Sequence, residues 1–306
     1  MRGLQLEHYS LMARNMKIYR LISMILLLCA FLELSAKKKK QDYPRAEIKV
    51  SYNYHEEFMR GNVEYAEHDI SMLLLANSNQ SKFYSPHTEY KDSLESTPSG
   101  RAKSKQIFDI AIMKYIESKD ESVMNSVVYH TFIYVFKDNQ LNKTTMYDKA
   151  GITERGVYEE PYSELAWEIG DSTKTVLGYE CIIASADYHG RKWTAWFAPE
   201  IPVHDGPWKL RGLPGLILEA TDSTGHHCFV ADGIEESTQP MYPIYSKEEY
   251  DNMSRIDMLR SLRNYRDNSH AMTKAATEGM LDLGPDAPTQ TEYDYLETDY
   301  HTKSDR

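Results

Sequence analysis

The sequence has few of the features that normally announce an enzymatic activity. It contains three cysteines, no C-x-x-C pair, no H-E-x-x-H and no G-x-S-x-G, so paired-thiol zinc sites, zinc-protease sites and serine-hydrolase elbows have no signature here. Basic residues are also scarce, since 35 Lys and Arg stand against 46 Asp and Glu for a net charge of −11. Because an acidic surface repels phosphate backbones, nucleic acid is not expected as a partner.

Long apolar runs are equally rare, and residues 21–32, LISMILLLCAFL, form the one strongly apolar run. Its length of about 12 residues falls short of the roughly 20 that a membrane-spanning helix needs. Basic residues precede it and Ala36 follows it, which is typical of a cleaved secretory signal peptide over residues 1–36, with Met16 as an alternative start. Lys37–Lys40 leave an uncleaved anchor open as the alternative. We therefore expect an exported protein of the periplasm or the outer membrane.

Apolar residues alternate with polar ones from Ala46 to Tyr84, and a period of two predicts strands. After Trp167 come further β-rich runs. One pair is joined at residues 188–191, where Gly190 can adopt the positive φ of a tight hairpin, and another is joined by DSTG. Short strands with such turns predict an α+β fold, mainly an antiparallel curved sheet or half-barrel with a C-terminal helix.

The remaining segments are polar or helical in pattern. Residues 87–105 are rich in Ser, Pro and Lys and predict a loop, whereas residues 105–119 favour a helix, with a strand as the alternative. Apolar residues recur every three positions within 246–276 and predict a polar helix. One domain over 37–279 is the simplest organisation, and the acidic, weakly apolar residues 280–306 predict a disordered tail.

The stretch GPWKLRGLPGLILEATD contains a literal G-x-x-G from Gly212 to Gly215. A phosphate-binding loop needs exposed backbone N–H groups and a following Lys-Ser or Lys-Thr pair, whereas Pro214 has no N–H and an apolar run follows. Proline followed by glycine predicts a type II turn instead. Such a turn would fix the register in which Leu216 faces the core, so we interpret the motif as mainly structural, with a ligand-lining role as the alternative.

The same residues resemble the GLPGLI family of exported proteins in Bacteroidetes. GLPGLI itself is residues 212–217, and the resemblance extends to residues 195–217 and 171–185, with its densest part over 155–235. Phe197 and Ala198 depart from the Tyr and Thr usual in the family. The resemblance implies an exported β-rich protein and no established activity. The positions that it marks as structural motif residues are Gly178, Cys181, Trp196, Pro202, Gly206, Pro207, Gly212, Leu213, Pro214, Gly215, Leu216 and Ile217.

Two cysteines, Cys181 and Cys228, would remain after signal cleavage, and in an oxidising compartment they could form a disulfide. If the four strands from residue 176 to 232 are sequential neighbours, these cysteines lie three strands apart, roughly 14 Å. A disulfide needs Cα atoms within about 7 Å. Separate thiols are therefore favoured over a bridge, and we expect no metal and no cofactor.

The aromatic residues suggest a ligand. Trp193 and Trp196 lie on a predicted strand and Trp208 in the loop that follows. Strand aromatics are ordinarily core residues. A curved sheet closed by a helix could also use them to line a slot for an apolar or peptide ligand.

Three functions remain open. The first is a non-catalytic envelope protein that binds an apolar or peptide ligand, or a membrane-protein partner. The second is an enzyme in which His204, Asp205 and His226 converge. The third is a structural subunit of an envelope complex. Arginines at 255, 260, 263 and 266 are interpreted as a solvated helix face, with an acidic partner as the alternative.

Overall fold

Alternating apolar residues become one face of a single large sheet. The structure is a computed structural model that describes residues 42–60, 64–120, 122–125, 127–151, 154–162, 165–268, 271, 291–292 and 294–300. The expected signal peptide lies outside the described residues. From Pro44 onward the chain forms one compact unit.

Thirteen strands are present among the described residues. They are β1 (Ile48–Arg60), β2 (Glu64–Ala76), β3 (Gln80–Tyr84), β4 (Tyr134–Asp138), β5 (Lys143–Lys149), β6 (Arg155–Pro161), β7 (Glu168–Val176), β8 (Tyr179–Tyr188), β9 (Arg191–Ala198), β10 (Leu216–Asp222), β11 (His227–Glu236), β12 (Tyr250–Asn252) and β13 (Thr291–Glu292). Their order in the sheet is β12-β6-β5-β4-β3-β2-β1-β11-β10-β9-β8-β7, and β13 pairs with the end of β1. All pairings are antiparallel except that of β12 with β6.

The sheet curves so that its main apolar face is concave. In sheet order β3 and β11 are three strands apart, which corresponds to about 14 Å in a flat sheet. The rings of Phe83 on β3 and Phe229 on β11 nevertheless have centroids 5.9 Å apart. Side chains from the two halves of the sheet therefore converge into one core.

Four helices are described: α1 (Pro86–Glu95), α2 (Pro98–Ser118), α3 (Ser122–Asn125) and α4 (Arg255–Asp267). The helix expected within 105–119 is confirmed, but the loop predicted over 87–105 is wrong. Proline occupies the first turn of both α1 and α2, and the Thr97 side chain accepts the N–H of Gly100 at the start of α2. Ser and Pro in this stretch mark helix starts, and its polar residues are the exposed faces of these helices.

The C-terminal helix begins later than predicted, and residues 269–270 and 272–276 of that expectation lie outside the described residues. It begins after Ser254, whose side chain accepts the Asp257 N–H, and the preceding residues form a 3₁₀ turn (Lys247–Glu249) and β12. No helix among the described residues is long and apolar enough to cross a bilayer. Helix α2 nonetheless exposes large apolar side chains, among them Ile110, Met113 and Ile116. A β-rich fold with a C-terminal helix is thus confirmed.

Two-residue turns organise the second half of the sheet. His189 and Gly190 have φ of 50° and 82°, so the hairpin predicted at 188–191 is confirmed. Leu177 and Gly178 have φ of 50° and 86°, which makes a second such turn between β7 and β8. The sequence analysis missed this turn, because Leu177 is apolar and does not interrupt the β-rich pattern.

The loop that carries the family motif, residues 199–215, crosses the concave face. Its apolar side chains at Trp208, Leu210 and Leu213 are part of the main core. Lys137 on β4 forms an ion pair with Asp205 and donates to the Gly206 carbonyl oxygen at 2.7 Å. The loop therefore spans the two halves of the sheet from inside.

The type II turn predicted at residues 213–216 is wrong. The Leu213 carbonyl accepts the N–H of Gly215 at 2.8 Å, and the N–H of Leu216 goes to the Ile201 carbonyl at 3.2 Å. The glycine is required for a different reason. A Cβ on Gly215 would overlap the Ala198 carbonyl, because the loop returns alongside the end of β9.

Part of the expected disordered tail is structured. Residues 294–300 lie against the β8–β9 turn and α4, and Glu297 and Tyr300 are buried. Charge complementarity explains the difference, because the acidic residues that suggested disorder face buried cations. The other residues of 280–306 lie outside the described ones, apart from β13.

Replacing Tyr52 by Phe should destabilise the fold by about 1–2 kcal/mol, since its buried hydroxyl donates to the Ile217 carbonyl at 2.7 Å and that oxygen would lose a partner. The measurement is urea unfolding. Tyr90→Phe, at a side chain that is 59% exposed, is the control, and its effect should stay within about 0.5 kcal/mol. Equal effects of the two variants would contradict this interpretation.

Candidate functional site

A cavity of about 420 Å³ lies between the concave face of the sheet and helix α4. Its walls come from β1, β2, β5, β11, residues 129–133, Trp208 of the motif loop, α4 and residues 294–297. The volume is within the usual range for small-molecule sites. The sequence analysis considered a slot of this kind, a curved sheet closed by a helix.

Periodicity explains how each element reaches the cavity. On β5, Met146 and Asp148 are two residues apart and share the concave face. On α4, Leu259, Leu262 and Arg266 recur at helical spacing and line the opposite wall. The arginine series was therefore wrongly interpreted as uniformly solvated, since Arg266 lines the cavity and Arg255 forms ion pairs with Glu297 and Asp299.

Asp148 is an acid without a matching base. Among the described residues its carboxylate has no ion-pair partner within 4.0 Å, and its recorded hydrogen bond comes from the backbone N–H of Lys149 at 2.7 Å. Burial raises the pKa of Asp148 to about 6, although that N–H and the charge of Arg266 act in the opposite direction. A cation or hydrogen-bond donor that enters the cavity would therefore stabilise the charged form of Asp148.

Lys149 is a base of the same cavity whose contacts are a hydroxyl group and two aromatic rings. Its Nζ donates to the Tyr265 hydroxyl at 2.9 Å and lies over the rings of Phe132 and Tyr265, 5.0 and 4.3 Å from their centroids. Within the described part of the chain no carboxylate lies within 4.0 Å of it. An acid and a base adjacent in sequence thus line one cavity, and neither has an ion-pair partner within 4.0 Å among the described residues.

His227 is committed to the fold. Its Nε2 lies 2.9 Å from the Asp294 carbonyl oxygen and its Nδ1 lies 2.8 Å from the Tyr54 hydroxyl. Burial, together with the charge of Arg191, lowers the pKa of His227 to about 4. The neutral ring therefore donates from Nε2 and accepts from Tyr54 at Nδ1, which leaves no nitrogen free for a ligand.

A second cluster has the geometry of a metal site. Ligand atoms of His189, Glu297 and Asp299 lie within 4.8 Å of one another. Protein cations already face these carboxylates, because Glu297 lies 2.7 Å from Lys209 Nζ and 2.5 Å from Arg255 Nε. Burial alone would raise the pKa of Glu297, but Lys209, His189 and Arg255 lower it to about 2. The donor set fits an ion-pair network rather than a metal ion.

The motif loop, which contributes Trp208 to the cavity wall, lies within a stretch that is similar to a known protein family. A known family model matches here. It is described as "Protein of unknown function (Porph_ging)" and covers residues 187–219, from the end of β8 through β9 and the motif loop into β10. Porph_ging is the GLPGLI-type family, so the match supports the resemblance over this short stretch. No curated protein sequence matches the chain.

Solved structures give distant likenesses. Two crystal forms of PNGF-II each have a TM-score of 0.45 and 11% identity, covering 72% of this chain and 34% or 33% of theirs. A Vibrio parahaemolyticus domain, provisionally assigned as an outer membrane lipoprotein-sorting protein domain, has a TM-score of 0.22 and 7% identity, covering 71% of this chain and 96% of its own. The chain spans about a third of the PNGF-II structures. At these scores we draw no functional argument from the likenesses.

The three candidate tryptophans have different positions. Trp208 lines the cavity. It is shielded from solvent, and its ring packs against Tyr188, His189 and Trp193. Trp193 is fully buried in the core. Trp196 is partly exposed, and Lys174 Nζ lies 4.5 Å from its ring centroid. Trp208 alone of the three contributes to the described cavity wall.

The three residues of the alternative catalytic group do not share a site. Asp205 pairs with Lys137, His204 is exposed, and His226 Nδ1 lies 2.9 Å from Asp294. Sequence adjacency did not predict these positions, because the motif loop turns Asp205 inward.

The two cysteines are free thiols, Cys181 buried and Cys228 half-buried. Strands β8, β9, β10 and β11 are sequential neighbours in the sheet, as the separate-thiol expectation required.

Asp148 and Lys149 were missed by the sequence analysis. They stand at the end of a short strand in an ordinary acidic and basic context, and the motifs searched for do not include such a pair. The available signal was the alternation of β5, which places Met146 and Asp148 on the core side. Their role depends on α4, which is more than 100 residues away in the chain.

Replacing Asp148 by Asn should stabilise the protein at pH 8 and have little effect at pH 4. The folded pKa of about 6 is above the unfolded value of about 3.9. The stability contributed by this acid is therefore fully present below about pH 3.9 and is lost as pH rises through about 6. Urea unfolding should show the Asp148→Asn variant more stable than the wild type by up to about 3 kcal/mol at pH 8.

The exposed Asp187 on β8 is the matched control, since its side chain lies outside the cavity and its replacement by Asn should change stability by no more than about 0.5 kcal/mol. A pH-independent effect at position 148 would contradict the assignment.

Proposed function

We propose that the protein is an exported, non-catalytic binding protein whose curved, half-barrel sheet holds a small zwitterionic ligand, such as a short peptide, in the cavity under α4. The observation that carries the proposal is the pair Asp148 and Lys149. An acid and a base, neither with an ion-pair partner within 4.0 Å among the described residues, line the same cavity.

The chemistry of the walls defines the ligand. An ammonium group would pair with Asp148, and a carboxylate would pair with Lys149. The apolar body of the ligand would lie against Phe132, Leu259 and Leu262, which share the cavity wall. Aromatic and aliphatic surface with a few charged groups is the usual composition of such sites.

A non-catalytic role is supported by the hydrogen bonding of two other titratable groups of the cavity wall. The ring nitrogens of His227 and the carboxylate of Glu297 already have protein partners. Asp148 is the group that would favour the enzyme alternative, because a pKa of about 6 suits proton transfer near neutral pH.

The test is retention of tripeptides with free termini, detected by native mass spectrometry of the protein with a tripeptide library. Calorimetry then compares a retained peptide with its N-acetyl and C-amide forms. Acetylation should weaken binding to the wild type by about 30-fold, since a charged hydrogen bond is worth about 2 kcal/mol. It should have little effect on Asp148→Asn, and amidation little effect on Lys149→Met.

Asp187→Asn serves as the control and should bind like the wild type. Retention of no tripeptide at millimolar concentration, or equal binding of all forms to all variants, would refute the proposal. Recovery of a cleaved peptide would favour the enzyme alternative instead.

A further inference from the structure

Residues 294–300, here called the strap, are held in place mainly by their carboxylates. Asp294 pairs with Arg191, Glu297 with Lys209 and Arg255, and Asp299 with Arg255. Among the described residues one backbone–backbone hydrogen bond joins the strap to the rest of the fold, from the Thr298 N–H to the His189 carbonyl at 2.9 Å. The side chains of His227 and Arg191 also donate to the carbonyl oxygens of Asp294 and Tyr295, each at 2.9 Å. Its apolar contacts come from Leu296 and Tyr300.

Each of the three cations also has a carboxylate partner in the sheet. Arg191 Nη1 lies 2.7 Å from Asp222, and Lys209 Nζ lies 2.7 Å from Glu160. Arg255 Nε lies 3.7 Å from the same Glu160. If the strap left, Arg191 would keep Asp222, while Lys209 and Arg255 would share Glu160, so each cation would still have a carboxylate within 4.0 Å. The sheet thus retains two carboxylates for the three cations, which lowers the electrostatic cost of removing the strap.

The strap also closes the cavity. Asp294, Tyr295, Leu296 and Glu297 are part of the cavity wall. The remaining wall consists of sheet strands, α4 and the segments packed between them. Strands and helices carry continuous backbone hydrogen bonds, and local opening is easiest where such bonds are few. Opening the strap would therefore break fewer backbone hydrogen bonds than opening a strand or α4.

We propose that the strap is the gate of the cavity: it leaves its groove as a unit to admit the ligand and returns to enclose it. This inference rests on the proposed binding function. Weakening the strap should raise the rates of ligand entry and exit by the same factor, because the free and the bound closed states are destabilised equally.

Gly190 offers a direct way to displace the strap. A Cβ on Gly190 would overlap Thr298 Oγ1 and would lie 2.8 Å from the Asp299 nitrogen. Ala at this position also imposes strain, because the φ is 82°. Gly178 is a matched control, since it occupies the same place in the neighbouring hairpin with a φ of 86° and nothing lies within 4 Å of its added Cβ. Gly178→Ala thus carries the strain without the contact.

The experiment compares full-length wild type, Gly190→Ala and Gly178→Ala. Hydrogen exchange should be faster in residues 294–300 of Gly190→Ala by about tenfold, the effect of losing one buried hydrogen bond. Exchange in β8 and β9 away from the turn should match that of the control. Stopped-flow mixing with 1-anilinonaphthalene-8-sulfonate, an aromatic anion suited to Lys149 and the rings around it, should give faster entry and exit in Gly190→Ala with an unchanged Kd.

Two failures can be told apart. Dye uptake at equal rates in all three proteins, or strap exchange in Gly190→Ala no faster than in Gly178→Ala, overturns the gate and leaves the binding site intact. Absence of dye uptake in all three overturns the binding site, and the gate with it.

Discussion

The buried ion pair between Lys137 and Asp205 holds the interior together. A wide antiparallel sheet with one apolar concave face must cover that face, and here the covering element is a loop rather than a second sheet. Lys137 extends from β4 to the loop, where it meets the Asp205 carboxylate and the Gly206 carbonyl. Two buried charges need each other, because removal of either leaves an uncompensated charge away from water. This contact fixes the loop and, with it, the floor of the cavity.

The motif loop connects the core of the sheet with the cavity wall. Trp208 packs on Trp193 and Tyr188 on one side and lines the cavity on the other. The next residue, Lys209, contacts Tyr158 and Glu160 on β6, at the far side of the sheet. The stretch with family similarity, residues 187–219, therefore supplies both the apolar filling and the cation that anchors the C-terminal segment.

Patterns within a few residues predicted the strands and one hairpin, whose formation depends on interactions close in sequence. Alternation gave the strands around Val50 and Leu218, and Gly190 gave the hairpin, because side-chain direction and backbone freedom are set within a few residues. The helical residues within 86–104 escaped prediction because this stretch, rich in Ser, Pro and Lys, has the composition of a loop. The acidic tail was predicted to be disordered because Lys209 and Arg191, which neutralise it, are distant in sequence. Asp148 belongs to a site only once α4 covers it, so its importance could not be read before the fold was known.

Among the described strands, β7 is the long strand at one edge of the sheet, and its sequence bears on pairing with other copies of the chain. Unpaired edge strands invite another chain to add on, and repeated addition gives fibrils. Pairing of β7 with β8 is interrupted between Ile169 and Thr173, and the strand carries exposed charges at Glu168 and Asp171. A kinked, negatively charged rim is a poor template for a further strand. The charges and the irregular pairing of β7 therefore disfavour association of copies through this edge.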